Sequence, residues 1–302
     1  MSDIGNIGFI GMGNMGVPMA ANLVGAGYTV TAYDIAADRA QRFAQDHAAR
    51  AAASLSALGG GADMVITMLP SGREVRQVLL DAQGGALLAG MHAGTIVVDM
   101  SSSAPLGTRA LGAELGRRGI ALIDAPVSGG VPRAKDATLA IMIGGEAAVV
   151  AVAKPVLSRM GQRLFEVGGL GCGHAMKALN NFLAGTSFAA AAEAVMVGRR
   201  FGLDPAVMTD VLNVSTGKSF ATENLIKQHV LNGSFATGFA LDLLTKDVGI
   251  AADLAEEVGV DAPIGRLVRD LYGSARDGLG ANRDHTQAAA YWEAQAVRRA
   301  AE

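Results

Sequence analysis

GFIGMGNMG, residues 8–16, is the stretch that decides the fold of this chain. It joins an apolar run, Asn6 to Ile10, to a helical pattern that extends from about Asn14 to Ala26 and stops at Gly27. The G-x-G-x-x-G spacing allows a tight turn, close approach of the backbone to a phosphate, and close packing of helix on strand. Free N–H groups and the positive dipole end of the helix attract a pyrophosphate. Strand, loop and helix in this order predict a dinucleotide-binding unit.

The candidate cofactor contacts lie in this loop and beyond the strands that follow it. Asp34 ends the strand YTVTAYD, 18 residues after Gly16, where an acid binds the ribose hydroxyls. A 2′-phosphate would meet a like charge there, and Ile35 rather than arginine follows, so NAD is favoured over NADP. Ligands of open α/β sheets bind beyond the carboxyl ends of strands. The predicted cofactor-binding residues are therefore Gly11, Met12, Gly13, Asn14, Met15, Gly16, Asp34, Leu69, Pro70, Ser101 and Ser102.

The order of strand and helix patterns predicts two domains. The strands MVITML, TIVVDM and IALIDA alternate with helical segments, which indicates crossover connections and a mostly parallel sheet. From His174 onward helical patterns dominate, and they break at Gly202, Gly233, Gly259 and Gly278. We predict an α/β Rossmann-type domain over residues 1–166 and an all-α domain for substrate binding and oligomerisation over residues 167–302.

Composition excludes several classes of protein. Of the 302 residues 50% are hydrophobic and 18% charged, which supports a packed core rather than disorder. The net charge of −3 argues against a nucleic-acid partner. The single cysteine, Cys172, and the lack of a signal-peptide pattern predict a cytoplasmic location. The most apolar stretch, Phe182–Gly198, is too short for a membrane span and contains Glu193, so no membrane association is expected.

Hydride transfer to a carbonyl requires a proton donor, and lysine is the type that the sequence favours. No Tyr-x-x-x-Lys pair occurs, and the five histidines lack metal-ligand spacing, so no metal is predicted. Only six of the 25 basic residues are lysine, the type that can lose its proton.

Lys177 follows GGLGCG near the first turn of a long helical pattern, where a cation faces the positive end of the helix dipole. That position favours a lysine whose pKa is lowered toward neutrality, although a solvated lysine at a helix start fits equally well. Asn180 and Asn181 share its helix face, and an amide there could orient a substrate.

The motif DAPVSGG, residues 124–130, also leaves the end of a strand. The Ser128 hydroxyl and the N–H groups of Gly129 and Gly130 could bind a carboxylate. Pro132 fits the first turn of a following helix. The alternative is an ordinary strand-to-helix turn.

The chain resembles the 3-hydroxyisobutyrate dehydrogenase, or β-hydroxyacid dehydrogenase, family. The similarity covers nearly the whole length and rests on four ordered segments: GFIGMGNMG (8–16), DAPVSGG (124–130), GLGCGHAMKALNN (169–181) and LLTKD (243–247). The resemblance implies a Rossmann domain followed by a helical domain, a small hydroxy acid or semialdehyde as substrate, and a homodimer or homotetramer.

The resemblance also implies roles for individual residues. Lys177 corresponds to the lysine that exchanges the substrate proton as general acid and base, and Asn181 to an asparagine that orients the substrate. Ser128, Gly129 and Gly130 match the loop that binds the acid group. Lys246 matches a lysine that reaches the cofactor, and Asp247 is expected at the substrate.

The substrate itself stays open. FALDLLTKD places Asp242 near the expected site, a pattern closer to tartronate semialdehyde (2-hydroxy-3-oxopropionate) reductases and sulfolactaldehyde reductases, whereas the intact PVSGG favours a carboxylate over a sulfonate. A non-catalytic dinucleotide-binding module and an imine reductase are both disfavoured by the presence of Lys177. A 6-phosphogluconate dehydrogenase would need a longer helical domain.

Overall fold

A computed structural model describes residues 4–81 and 86–301 of the chain. The chain divides into two compact units, Met1–Lys177 and Ala178–Glu302. The domain boundary predicted between residues 166 and 167 stays a prediction. In the described ranges, the structure contains no helix that combines the length and hydropathy of a membrane-spanning segment.

The described part of the first unit contains one nine-stranded, mostly parallel sheet. The strands are β1 (Asn6–Ile10), β2 (Thr29–Tyr33), β3 (Arg50–Ala51), β4 (Met64–Thr67), β5 (Ile96–Asp99), β6 (Ala121–Asp124), β7 (Val127–Ser128), β8 (Ala140–Gly144) and β9 (Arg163–Gly168). Their order in the sheet is β3-β2-β1-β4-β5-β6-β8-β7, and β9 also pairs with β8. Pairing is parallel from β3 to β6 and between β8 and β9, whereas β8 runs antiparallel to β6 and β7.

Helices cover both faces of this sheet. Neighbouring residues of β4 point to opposite faces, so Val65 and Ile66 lie in two different hydrophobic clusters. Because both faces are covered, β4 and β5 are buried along their whole length and read as continuous apolar runs. The helices are α1 (Gly16–Gly25), α2 (Ala37–Asp46), α3 (Leu55–Gly60), α4 (Gly72–Arg76, continued by a π-helical turn at Gln77–Asp81), α5 (Leu87–Gly90), α6 (Pro105–Gly116), α7 (Gly130–Lys135) and α8 (Ala147–Leu157).

The second unit is helical, as predicted. Its core packs around Phe188 and Tyr272, and the Tyr272 hydroxyl donates to the Gly185 carbonyl at 3.0 Å. Burial raises the pKa of Tyr272, so this phenol stays protonated. The helices are α9 (Cys172–Phe201), which begins in the first unit, α10 (Pro205–Asn213), a π-helix (Thr222–Leu231), α11 (Leu241–Glu257), α12 (Pro263–Leu279) and α13 (Gln287–Ala301).

Four strands and one helix end differ from the sequence-based prediction. Strands β3, β7, β8 and β9 were not predicted: β3 and β7 have two residues each, β8 is a short apolar run without a period, and β9 is largely exposed. The predicted break at Gly278 is wrong, because α12 continues to Leu279. Gly278 instead leaves room for Tyr291, whose Cζ lies 2.8 Å from where a Cβ would stand.

Candidate functional site

The three glycines of the first loop meet three different steric demands. Gly11 follows β1 with φ +103°, a conformation that side chains disfavour. At Gly16 an added Cβ would lie 3.3 Å from the Phe9 ring and would overlap the Gly11 carbonyl. At Gly13 an added Cβ would meet nothing within 4 Å, so this part of the loop is open to a ligand. The loop therefore fits a dinucleotide pyrophosphate.

Asp34 is tied to the same loop. One carboxylate oxygen, Oδ2, accepts the Met12 N–H at 2.8 Å, and Oδ1 accepts the Ala36 N–H at 2.9 Å. Arg39 Nη1 lies 3.7 Å from Oδ1. The carboxylate is thus fixed where β2 ends, the place predicted for an acid that binds ribose hydroxyls. Carboxylate oxygens carry further lone pairs for that role.

The remaining loop residues differ in exposure. Met12 is buried, Asn14 is exposed, and Met15 packs against the core. No side chain caps the N-terminus of α1, which agrees with N–H groups reserved for a phosphate.

The loops after β4 and β5 are joined to each other. The Leu69 N–H donates to Ser101 Oγ at 2.9 Å, and the Ser101 N–H donates to Asp99 Oδ1 at 3.0 Å. Ser101 is buried, whereas Ser102 is half-buried and Pro70 is exposed. Ser101 therefore shapes this edge, and a cofactor contact from Leu69, Pro70, Ser101 or Ser102 stays a prediction.

The predicted carboxylate loop begins with Ser128, the last residue of β7. Gly129 and Gly130 have positive φ angles of +136° and +66°, and both are exposed, while Ser128 is half-buried. Pro132 lies in the first turn of α7, as predicted. The loop thus presents two backbone N–H groups and a hydroxyl group that could donate hydrogen bonds to the carboxylate of an acid.

Helix α9 carries Lys177, which is half-buried, and one turn later Asn181, which is buried. In the second unit, Asn181 Nδ2 donates to Asp247 Oδ2 at 2.6 Å, and Asn180 Nδ2 donates to Asn181 Oδ1 at 3.1 Å. Lys246 Nζ lies 3.4 Å from Asp247 Oδ1. The structure therefore joins residues predicted from two distant motifs, Asn181 of α9 and the adjacent pair Lys246 and Asp247 of α11.

Two family models match the two parts of the chain. The NAD binding domain of 6-phosphogluconate dehydrogenase matches residues 6–169, and the model described as NAD-binding of NADP-dependent 3-hydroxyisobutyrate dehydrogenase matches residues 171–292. The chain is 39% identical to 2-(hydroxymethyl)glutarate dehydrogenase of Eubacterium barkeri, over 95% of this chain and 94% of that protein. It is 37% identical to 3-hydroxyisobutyrate dehydrogenase of Pseudomonas aeruginosa, over 88% and 91%. The chain belongs to the 3-hydroxyisobutyrate dehydrogenase family.

A solved structure agrees with this assignment. Mycobacterium tuberculosis 3-hydroxyisobutyrate dehydrogenase with L-serine has a TM-score of 0.87 and 34% identity, over 96% of this chain and 99% of that one. As a member of the 3-hydroxyisobutyrate dehydrogenase family, the chain is an NAD-dependent β-hydroxyacid dehydrogenase. The predicted family, fold class, enzyme class and cofactor are confirmed.

Three buried polar residues at the carboxyl edge of the sheet were missed: Asp99, Asp124 and His174. The signal was present, since Asp99 and Asp124 each end an apolar strand, and a buried carboxylate needs donors around it. Among the described residues, no group of three or more His, Cys, Asp or Glu side chains could hold a metal ion.

Proposed function

We propose that this 3-hydroxyisobutyrate dehydrogenase family member oxidises a small 3-hydroxy acid of the form HOCH2–CH(X)–COO⁻ to its semialdehyde, or reduces the semialdehyde. The substrates named for its relatives, 2-(hydroxymethyl)glutarate and 3-hydroxyisobutyrate, share this group. L-serine, named with the solved relative, shares it too. The substituent X is what differs among them, so the hydroxymethyl and carboxylate groups define the substrate class.

Lys177 is proposed as the general acid and base. The observation that carries this role is the helix face on which Lys177 is followed, one turn later, by an amide that Asp247 holds at 2.6 Å. In oxidation the hydroxyl proton would pass to Lys177 Nζ, and NAD, when bound, would supply the acceptor for the hydride that leaves the carbon bearing this hydroxyl. In reduction Nζ returns the proton to the carbonyl oxygen.

The other predicted residues orient the substrate and the cofactor. The carboxylate binds Ser128 Oγ and the N–H groups of Gly129 and Gly130, whose positive φ angles support such a loop. Asn181, fixed by Asp247, orients the hydroxyl. Lys246 binds the cofactor.

A panel of alcohols tests the substrate class. The compounds are 3-hydroxyisobutyrate, glycerate, L-serine and 2-(hydroxymethyl)glutarate, with 4-hydroxybutyrate as the control because its hydroxyl lies one carbon further from the acid. We expect at least one 3-hydroxy acid to exceed the control in kcat/KM by about tenfold or more, because one extra methylene group in a substrate typically changes kcat/KM by that factor. A preference for 4-hydroxybutyrate would contradict the proposal.

Glycerate serves a second purpose in this panel. Its oxidation product is tartronate semialdehyde, the substrate of the alternative function, a tartronate semialdehyde reductase. Asp242, exposed in the first turn of α11, is the residue that favours this alternative. If glycerate has the highest kcat/KM of the panel, the result would favour the tartronate semialdehyde reductase.

Replacement of Lys177 by alanine tests the proton transfer. We expect kcat to fall by about 10²–10⁴-fold, the usual contribution of a general acid or base, while NADH fluorescence shows unchanged binding. Lys154→Ala is the matched control, because Lys154 pairs with Glu166 at 2.6 Å and is half-exposed. A Lys177→Ala variant that keeps more than about a tenth of the rate would refute the assigned role.

A homodimer or homotetramer is also proposed. Large apolar side chains stand exposed along α9 and α10, among them Val197, Phe201, Val207 and Val211. Exposed apolar side chains in such number are typical of an interface between subunits. The cytoplasmic location stays a prediction.

A further inference from the structure

Asp124, at the end of β6, caps the helix that carries Lys177. Its carboxylate is fully buried, and Oδ1 accepts the Gly171 N–H while Oδ2 accepts the His174 N–H, both at 2.7 Å. Gly171 directly precedes α9, which starts at Cys172, and His174 lies in the first turn of this helix. A strand residue 47 and 50 positions earlier therefore does the work that a neighbouring serine or aspartate usually does.

The carboxylate fills a space that two glycines leave for it. A Cβ on Gly144 would lie 2.6 Å from Asp124 Oδ1, and a Cβ on Gly173 would lie 2.8 Å from Oδ2. Burial raises the pKa of Asp124, and His174 and the backbone donors offset part of this effect. The side chain is held in one position by close packing and by two hydrogen bonds.

The His174 ring extends this anchor. Its Nδ1 lies 2.8 Å from Thr108 Oγ1, and that hydroxyl also lies 3.2 Å from the Ala104 carbonyl, to which it can only donate. The Thr108 hydroxyl and Nδ1 are therefore hydrogen-bonded, and the tautomer of the ring sets the direction of this bond. The other nitrogen, Nε2, faces Asp99 Oδ2 at 3.6 Å, and Nδ1 lies 3.8 Å from Asp124 Oδ2.

Asp99 connects this cluster to the cofactor edge. Besides the Ser101 N–H, it accepts the Thr67 hydroxyl at 3.0 Å and the Ser103 hydroxyl at 2.8 Å. Ser101 in turn accepts the Leu69 N–H. One buried polar network, in which His174 Nε2 approaches Asp99 Oδ2 at 3.6 Å without a hydrogen bond, thus places the loops after β4 and β5, where cofactor contacts are predicted, beside the first turn of α9.

We propose that Asp124 is a positioning residue for Lys177: by fixing the first turn of α9 through this network, it sets the place of the Lys177 amine relative to the cofactor edge. The inference rests on the proposed role of Lys177. Lys177 stands three residues after His174 on a continuous helix, so a shift of the first turn moves its Cα directly.

Asp124→Asn is the direct test. Asparagine keeps the size, but its NH2 group cannot accept, so one of the two backbone N–H groups loses its partner. We expect kcat to fall by about 10- to 100-fold, the effect of a small misplacement of a reacting group, with an unchanged KM for NAD.

A double-mutant cycle separates positioning from general damage. In the Lys177→Ala background Asp124→Asn should leave the residual rate unchanged, because the amine that it positions is gone. Losses that multiply in the double variant would overturn the inference. The proposed function fails separately, if Lys177→Ala alone keeps more than about a tenth of the rate.

Thr108→Val keeps the test decisive where Asp124→Asn does not fold. It removes the hydroxyl that contacts His174 Nδ1 and the Ala104 carbonyl, and we expect kcat to fall about threefold or more, again with no effect in the Lys177→Ala background. A wild-type kcat in Thr108→Val would overturn the inference in that case.

Matched controls exist for both variants. Asp63 accepts the N–H groups of Gly5 and Asn6 at 3.0 and 2.8 Å at the opposite end of the strands. Thr209 in α10 is a buried threonine bonded to the carbonyl four residues earlier, that of Pro205, at 2.8 Å. Asp63→Asn and Thr209→Val should both leave kcat unchanged.

Discussion

Asp34 has one structural role and one predicted role. Its carboxylate holds the glycine-rich loop through the Met12 N–H, and we expect its negative charge to lie where a 2′-phosphate would bind. Arg39, 3.7 Å from Oδ1 and half-exposed, is available to a phosphate once that charge is removed. We therefore predict that preference for NAD depends on Asp34 together with Arg39.

Asp34→Ala should lower the ratio of kcat/KM for NAD to that for NADP by on the order of tenfold, about 1.4 kcal/mol. Asp34→Asn separates the two functions, because it removes the charge while an amide oxygen can still accept the Met12 N–H. Steady-state kinetics with both cofactors measures the ratio, and the same ratio in all three proteins would show that Asp34 does not discriminate.

At the scale of elements, α9 and α10 present an apolar groove. It has a volume of about 600 Å³ and is lined by Val197 and Phe201 of α9 and by Leu203 and Met208, among others. Phe201 is 85% exposed, an unusual state for a large aromatic side chain. Burial of this face against a second subunit would remove it from water.

Phe201→Glu should dissociate the oligomer, because a buried interface cannot accommodate an unpaired carboxylate. Light scattering coupled to size-exclusion chromatography gives the mass of wild type and variant. Val258→Glu, at an exposed apolar position outside the groove, is the control that should keep the oligomer. A wild-type protein that is monomeric at micromolar concentration would remove the basis of the proposal.

At the scale of the whole molecule, stability depends on a buried imidazole. Burial lowers the pKa of His285 from 6.5 to about 4, although Asp284 opposes the shift. The unfolded chain therefore binds a proton more readily than the folded chain between these two pH values. Stability is lost as the pH falls from 6.5 toward 4, by up to about 3 kcal/mol at 1.4 kcal/mol per pKa unit.

Urea unfolding at several pH values measures this loss. His285→Gln should flatten the dependence of the unfolding free energy on pH in that window, whatever its effect at pH 7. His47→Gln is the control, because the His47 ring lies tilted against Phe43 in the first unit. It should leave the dependence of the unfolding free energy on pH unchanged. Equal slopes in wild type and His285→Gln would rule out His285 as the source.

The sequence by itself determined the five strands that alternate with helices, the helical nature of the second unit and the cofactor. The apolar runs of β1, β4, β5 and β6, the glycine spacing and Asp34 are local signals, because they depend on residues close together in the chain. Strand β8 was not predicted because its short apolar run has no period, and β9 was not predicted because it is largely exposed. Family membership followed from the order of local motifs.

Only the tertiary structure decided which side chains hold one another. Asp124 meets Gly171 and His174 across 47 and 50 residues, and Asn181 meets Asp247 across 66. The local sequence pattern cannot predict such pairs, because they form only when the sheet order and the helix packing bring residues distant in the chain together. A buried carboxylate needs hydrogen-bond donors close to it, and only the tertiary fold places these donors.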